Sequence, residues 1–265
     1  RGKAGKSDAR FVERLAKKYR LKFELGSADI AELAARTKRS IETTARHERL
    51  AFFERVGRRR RCLTIFLAHH ADDQAETFLL KLIRGAGLTG LGGIYPRRGI
   101  VVRPLLDVSR ADLRRYLESR GQSCVDDETN EDLANPRNRI RHKVLPELDL
   151  AAGASSIPAI ARAASISRED GQWLDELADR RFDVLVVRSN AGLEIDVSGL
   201  LGEPPPIRRR MVLAALRLAA PNREIGSDHV EAALEVAAGE SAGVDVPGAR
   251  VELRRGKMVL LREAR

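Results

Sequence analysis

The chain has 265 residues and a formal net charge of +10, from 48 lysines and arginines against 38 aspartates and glutamates. A chain of this length buries a substantial core and is expected to form two domains. Its two cysteines, Cys62 and Cys124, have no CxxC spacing, which argues against a disulfide framework, a zinc ribbon or an iron–sulfur site and fits a reducing cytosol. No run approaches the roughly 20 apolar residues of a membrane span and no signal peptide is recognisable, so we expect a cytoplasmic protein with no membrane partner.

The basic excess indicates a polyanionic partner, with nucleic acid favoured over a membrane surface. Arginine dominates it and occurs in runs at residues 58–61 and 208–210. The alternatives are a solvated basic face and an arginine-rich codon usage. The candidate contacts to nucleic acid are Arg58, Arg59, Arg60, Arg208 and Arg209.

Helices and strands are predicted to alternate along the first part of the chain. Ser7 or Asp8 begins a helix that runs to about Arg20, and residues 22–25 alternate as a short strand. Ser40 caps a helix over residues 41–57, and residues 63–67 have the apolar, β-prone character of a buried strand. This order favours a parallel sheet covered by helices.

A polar turn follows the strand at residues 63–67 and leads into a helix that begins at Asp73 and stops at Gly85. The turn lies at the carboxyl end of the strand, where open α/β sheets place ligands and where a helix offers free N–H groups. It contains a dense set of polar side chains: His69, His70, Asp72, Asp73, Gln74 and Glu76.

The acidic residues of this turn have a simpler explanation that stays open. Asp73 and Glu76 have the spacing of a capping box, and acids in a first helical turn complement the helix dipole. A metal site is a further possibility. Magnesium held through a carboxylate and a nucleotide phosphate is favoured over a zinc cage, because no third ligand group follows at a familiar spacing.

The next predicted elements are a glycine-rich loop at 85–93, a strand at 100–106 ended by Pro104, and a helix from the Ser109 capping box to Arg120. Pro136 suits the first turn of a helix. Two guanidinium groups one turn apart make a phosphate clamp on that helix, formed by Arg137 and Arg141 with Asn138 and His142 nearby. The alternative is a surface salt bridge to Asp126, Asp127 and Glu128.

A small-residue stretch at 151–156 indicates a domain boundary. Beyond it, helices are predicted over 158–184, 207–218 and 228–237, and strands over the last 20 or so residues. Trp173 is expected in the core, as are Leu174 and Leu177. His229 is expected to be exposed and without a partner.

Several of these stretches occur in the order and spacing of one known family. The chain resembles the tRNA(Ile)-lysidine synthases, which are N-type ATP pyrophosphatases, over residues 7–148. The blocks that carry the resemblance are His69–Thr77, Leu82–Leu91, Arg103–Leu106, Asp127–Asn130 and Pro136–His142.

The resemblance implies an α/β fold: a parallel-sheet ATP-pyrophosphatase domain over residues 1–150 that lacks its first strands, and a smaller, mainly helical tRNA-binding domain over 151–265 with terminal strands. It implies adenylation of the wobble cytidine of an isoleucine tRNA with anticodon CAU, followed by displacement of AMP at C2 by lysine, so that decoding changes from AUG to AUA. The expected ligands are tRNA, ATP with magnesium, and free lysine. A homodimer is left open.

The chemistry of the side chains suggests the following roles in such a reaction. Asp73 and Glu76 hold magnesium or orient the lysine ammonium, and one of them takes the proton of the amine. Arg137 and Arg141 neutralise phosphate as AMP leaves. Asp72 is a cap or a structural residue. The expected cofactor contacts are His69, His70, Gln74, Asn138 and His142.

One signature of the family, the Ser-Gly-Gly-x-Asp-Ser loop that cradles the ATP phosphates, does not occur in the sequence. The run Gly2–Ser7 lacks the preceding strand and the Walker spacing. We therefore expect an N-terminally incomplete protein that is weak or inactive with ATP on its own. Two alternatives are a tRNA 2-thiolation enzyme, disfavoured by the missing CxxC pairs, and a non-catalytic tRNA-binding remnant.

Overall fold

The computed structural model describes residues 2–125, 132–189, 192–221 and 223–262. Contacts divide the chain into two compact units. Unit 1 contains residues up to 86 together with 93–164, and unit 2 contains 87–92 together with 165–265. The predicted family block at 127–130 and the acids at 126–128 lie outside the described residues.

Unit 1 is mainly helical. Its helices are α1 (Gly2–Lys18), α2 (Ile30–Thr37), α3 (Ile41–Arg60), α4 (Ala71–Ile83), α6 (Arg110–Ser119), α7 (Pro136–Arg139) and α8 (Leu145–Ala152), and a π-helical turn over Ile140–Val144 joins the last two. Unit 2 contributes the short α5 (Leu88–Leu91) between α4 and α6. Ser40 and Ser109 cap α3 and α6 by accepting N–H hydrogen bonds from Thr43 and Asp112, as predicted.

The sheet of unit 1 has three short strands: β1 (Ile65–Phe66), β2 (Arg97–Arg98) and β3 (Val101–Val102). β1 pairs in parallel with β3, and β2 pairs with β3 in the antiparallel direction. The prediction of a buried strand at 63–67 is wrong, because β1 lies at the edge of this sheet and Phe66 is 68% exposed. The parallel pairing still brings the residues after β1 and β3 to one edge.

Two further predictions for unit 1 are wrong. Residues 22–25 form no strand, and the Glu24 carboxylate instead accepts hydrogen bonds from Arg59 and Arg60. Helix α1 begins at Gly2, before the predicted Ser7 or Asp8. Helix α2 is not anticipated from the sequence, although Asp29 caps it by accepting from the Glu32 N–H.

Unit 2 has one antiparallel sheet in the order β4-β5-β8-β7-β6. Its strands are β4 (Val186–Ser189), β5 (Gly192–Asp196), β6 (Gly243–Val246), β7 (Ala249–Arg254) and β8 (Lys257–Arg262). Its helices are α10 (Val197–Gly202), α11 (Pro205–Ala219) and α12 (Ser227–Ala238), and α9 (Ile157–Leu185) begins in unit 1 and continues into unit 2. The terminal strands were predicted, whereas β4 and β5 were not.

The core of unit 2 is built between this sheet and its helices. Ile195, Met211, Leu216 and Leu260 are completely buried there. Leu174 and Leu177 pack against this core as predicted, but Trp173 is 60% exposed. A helix turns about 100° per residue, so the residue before Leu174 faces away from the core.

The structure also bears on the predictions for His229 and for the domain boundary. His229 has a partner, because its Nδ1 accepts a hydrogen bond from the Gly226 N–H at 3.0 Å at the start of α12. The predicted boundary after residue 150 falls near the break between α8 and α9, whereas unit 1 continues to Ala164. None of the described helices is long and apolar enough to cross a membrane.

Candidate active site

Helix α4 begins at the polar turn, two residues earlier than predicted. His70 is its N-cap residue, and the Asp73 carboxylate accepts a hydrogen bond from the His70 backbone N–H at 3.0 Å. Asp73, the third residue of the helix, therefore caps the first turn by accepting from the backbone N–H of the N-cap residue. The predicted capping box between Asp73 and Glu76 is wrong, since Glu76 has other partners.

Glu76 is completely buried and is held between two arginines. Its Oε2 accepts from Arg137 Nε and its Oε1 accepts from Arg141 Nε, both at 2.5 Å. Arg137 Nη2 also donates to Asp73 Oδ1 at 3.0 Å, and Arg141 Nη2 lies 3.9 Å from the same oxygen. The structure thus joins all four predicted catalytic residues, although more than 60 positions separate the two acids from the two arginines. We call these four residues the Glu76 cluster.

The start of α7 sets the positions of both arginines. Asn135 caps the helix by accepting from the Arg137 N–H at 2.9 Å, and Pro136 occupies the first turn as predicted. The π-helical turn begins at Ile140, and turns of this kind often occur at functional sites. Apolar packing of Ala75 and Leu79 against Ile140 and Leu145 holds α4 against this segment.

Hydrogen bonding to Glu76 also affects the ionisation of the cluster. Burial lowers the pKa of Arg141, but its hydrogen bond to Glu76 and the charges of Glu76, Asp73 and Asp72 outweigh burial, so the pKa is raised. The Arg141 guanidinium group therefore stays charged at any pH at which the protein is folded. The alternative of a surface salt bridge to residues 126–128 lies outside the described residues.

Asp72 has the structural role that the sequence suggested. Its Oδ2 accepts from the Arg110 N–H at 2.8 Å, which ties the start of α4 to the start of α6. Burial raises its pKa, but the neighbouring His70 side chain and the hydrogen bond from the Arg110 N–H lower the pKa by more in total. His70 Nδ1 lies 3.5 Å from the same carboxylate oxygen.

The other predicted cofactor contacts lie in different environments. Gln74 is buried, and its Oε1 accepts from the Ile94 N–H at 2.7 Å, so its side chain supports the loop after Gly93. Asn138 is buried and donates to the Asp132 carbonyl at 2.9 Å. His69 is half-buried and His142 is exposed. Their roles toward a cofactor stay predictions.

The Glu76 cluster does not fit a resident magnesium ion. Both carboxylate oxygens of Glu76 already accept from guanidinium groups, and Asp73 accepts from Arg137 and from the His70 N–H. The described part of the chain contains no group of three or more His, Cys, Asp or Glu side chains that would hold a metal. Magnesium prefers an octahedral set of oxygen ligands that arginines do not supply.

Four of the five arginines predicted to contact nucleic acid form ion pairs with glutamates. Arg59 and Arg60 bind Glu24 at 2.6 and 2.5 Å, Arg58 lies 3.4 Å from Glu54, and Arg209 binds Glu231 at 2.6 Å. These pairs reduce the positive potential at both predicted runs. The role of these arginines toward nucleic acid stays a prediction.

Arg103 lies in one of the blocks that carry the resemblance, but no role in the site was predicted for it. Arg103 follows β3 directly and is only 9% exposed. Its Nη1 donates to the Tyr95 carbonyl at 2.8 Å. The available signal was its position at the carboxyl end of a predicted strand, where α/β sheets place ligand contacts.

A polar turn at the carboxyl end of a parallel strand, with clustered arginines on a neighbouring helix, defines the general class of α/β nucleotide-binding domains. The PP-loop domain model matches residues 2–148, and the chain belongs to this family.

Relatives in three bacteria carry the name tRNA(Ile)-lysidine synthase. The chain is 40% identical over 239 residues to the protein of Geobacter sulfurreducens, covering 88% of this chain and 50% of that protein. It is 40% identical over 172 residues to the protein of Leifsonia xyli, and the match covers 64% of this chain and 52% of that protein. It is 34% identical over 228 residues to the protein of Streptomyces coelicolor, and the match covers 84% of this chain and 64% of that protein. The chain spans about half the length of the first two.

Proposed function

We propose that this chain belongs to an enzyme that ligates lysine to C2 of the wobble cytidine in an isoleucine tRNA with anticodon CAU, at the expense of ATP. The names of the relatives and the PP-loop domain support this reaction. The observation that carries the proposal is the Glu76 cluster, which gathers residues of two distant sequence blocks at the carboxyl end of β1.

The reaction proceeds in two steps. First, O2 of the cytidine attacks the α-phosphorus of ATP, and pyrophosphate leaves. The amine of free lysine then attacks C2, the C2–O bond breaks, and AMP leaves with the former O2 as one of its phosphate oxygens. Both steps build negative charge on phosphate, so preorganised cations are required where that charge develops.

Within this scheme Arg137 and Arg141 neutralise the phosphate as AMP leaves. Glu76 binds the Nε atom of each and so orients both guanidinium groups, which makes it a positioning residue. Asp73 orients the lysine ammonium and takes the amine proton before attack. Magnesium is proposed to enter with the ATP phosphates, because the donor set around Glu76 is already occupied by arginines.

The proposed substrates are tRNA, ATP and free lysine, and the reaction takes place in the cytoplasm. The 265 residues contain no Ser-Gly-Gly-x-Asp-Ser run. We therefore propose that these residues alone react weakly with ATP.

Lysine incorporation tests the proposed function. The product of the whole reading frame that encodes these residues is mixed with ATP, radiolabelled lysine and the CAU-anticodon tRNA, and the 265-residue chain is assayed beside it. ATP-dependent entry of label into the tRNA from the whole product is expected. Failure of label to enter, with tRNA still bound, contradicts the ligase and favours a tRNA-binding remnant or a thiolation enzyme.

A further inference from the structure

Two basic side chains meet at the edge of the sheet in unit 1. Ile65 and Phe66 pair in parallel with Val101 and Val102, and the Leu67 N–H donates to the Val102 carbonyl at 2.9 Å. Arg103 follows this pairing on one strand, and His69 follows it two residues beyond Leu67 on the other. Both residues therefore emerge at the carboxyl edge of the parallel pair, where open sheets bind ligands.

Arg103 has unmet hydrogen-bonding capacity in a buried place. Its Nη1 donates to the Tyr95 carbonyl, but its Nε is buried and has no hydrogen-bond partner in the described part of the chain. None of the ion pairs found among the described residues includes Arg103. A buried guanidinium without a counter-ion is costly, and such a group is expected to meet an anion.

His69 has a similar atom close by. Its Nδ1 is buried and has no hydrogen-bond partner among the described residues. Burial lowers the pKa of His69, the Asp73 charge opposes this, and the charges of Arg103, Arg137 and Arg49 add to the lowering. The charges of Asp73 and of three arginines thus act on the His69 ring.

Three exposed arginines complete the surroundings. Arg98 lies opposite Val101 in the pairing of β2 with β3, two residues before Arg103. Burial lowers the pKa of Arg103, and the charges of Arg46 and Arg98 lower it further. Arg46 and Arg49 are exposed on α3, three residues apart and hence on one face. No ion pair or side-chain hydrogen bond within the described ranges involves Arg46, Arg49 or Arg98, in contrast to Arg59 and Arg60.

We infer that Arg103, His69, Arg46, Arg49 and Arg98 form a phosphate-binding site, and we call these five residues the Arg103 site. Phosphate fits it because a phosphate offers several acceptor oxygens to a buried donor and to surrounding guanidinium groups at the same time. The exposed arginines offer further cations beside the buried one, and a chain of phosphates can contact several of them at once. We therefore assign the bound phosphate to a phosphodiester group of RNA. The choice of RNA as the source of the phosphate rests on the proposed function.

Binding to the 265-residue chain tests the site without requiring catalysis. A fluorescent single-stranded RNA of about 12 nucleotides is titrated by anisotropy at several salt concentrations, and inorganic pyrophosphate is used as a competitor. The variants are Arg46→Gln and Arg49→Gln, which remove exposed side chains without a described partner. Arg115→Gln is the matched control, because Arg115 is exposed in the same unit and pairs with Asp112.

Each of the two variants is expected to weaken RNA binding about fivefold and to reduce the slope of log K against log salt by about 0.7, with Arg115→Gln changing affinity less than twofold. Unchanged RNA affinity in variants that bind pyrophosphate more weakly, measured directly by calorimetry, supports the site but assigns it to free phosphate. Wild-type affinity for both ligands in folded variants overturns the inference. A chain that binds RNA through these arginines while lysine incorporation fails contradicts the proposed function and leaves the site standing.

Discussion

Glu76 determines the geometry of the candidate active site at the scale of single residues. A carboxylate with no exposed surface is stabilised only if its charge is compensated, and here one guanidinium Nε binds each oxygen. The acid also fixes the arginines, because a guanidinium group held at Nε has its Nη atoms oriented. The structural role of Glu76 and its proposed role in positioning the arginines thus coincide in one side chain.

Glu76→Gln is expected to lower the free energy of unfolding by about 2–4 kcal/mol, because it removes the buried carboxylate that binds both arginines and leaves only Asp73 to balance their charges. Urea denaturation measures the change. Glu54→Gln is the matched control: its partner Arg58 is 83% exposed at the side chain, and a loss below about 1 kcal/mol is expected. Equal losses in the two variants would show that Glu76 is not buried as described.

Asp72 predicts a pH dependence of stability. Its pKa is lower in the folded chain than in the unfolded chain, so the unfolded chain binds more protons in acid. The stabilisation by Asp72 is therefore present above the unfolded pKa of about 3.9 and is lost as pH falls through the folded pKa.

Asp72→Asn is expected to flatten the fall in unfolding free energy below about pH 4, and urea denaturation across that pH range measures it. Asp170→Asn, at an exposed carboxylate without a described hydrogen bond, is the control. A wild-type slope in Asp72→Asn would show that the link between α4 and α6 does not depend on this charge.

At the scale of elements, the loop after the glycine-rich stretch depends on one close contact. Gly93 has φ +64°, and a Cβ atom there would lie 2.9 Å from the Gln74 side-chain amide. Gln74 in turn accepts from the Ile94 N–H. The glycine is thus required both by its backbone conformation and by the approach of Gln74.

Gly93→Ala is expected to destabilise the chain by about 1 kcal/mol more than Gly85→Ala. The two glycines have similar φ angles, but a Cβ at Gly85 meets no atom within 4 Å. The difference between the two variants therefore isolates the contact with Gln74. Thermal or urea unfolding measures it, and equal losses would mean that Gln74 moves aside without cost.

Helices could be predicted from this sequence better than strands, for a physical reason. A cap such as Ser40 or Ser109 acts within four residues, so its signal is local. A strand requires a partner elsewhere in the chain. The alternation at residues 22–25 has no partner in the described sheet, and the apolar run at 63–67 is paired at only two positions.

At the scale of the whole molecule, each unit has its own core, and the proposed chemistry lies in unit 1. Sequence motifs identified Asp73, Glu76, Arg137 and Arg141, and the structure brings these four together. The Arg103 site could not be predicted in the same way. This site is recognised by burial and by missing hydrogen-bond partners, and neither property is visible in a residue pattern.

The proposed catalytic role of the Glu76 cluster is tested by the rate of lysidine formation in the Arg141→Lys variant of the product of the whole reading frame. Lysine keeps the charge beside Glu76 but not the planar fork that binds carboxylate and phosphate together. The rate is expected to fall about 100-fold, and the urea concentration at the midpoint of unfolding is expected to stay nearly unchanged. The control variant Arg115→Lys is expected to keep the wild-type rate. A wild-type rate in Arg141→Lys would contradict the assignment of the Glu76 cluster as the catalytic centre.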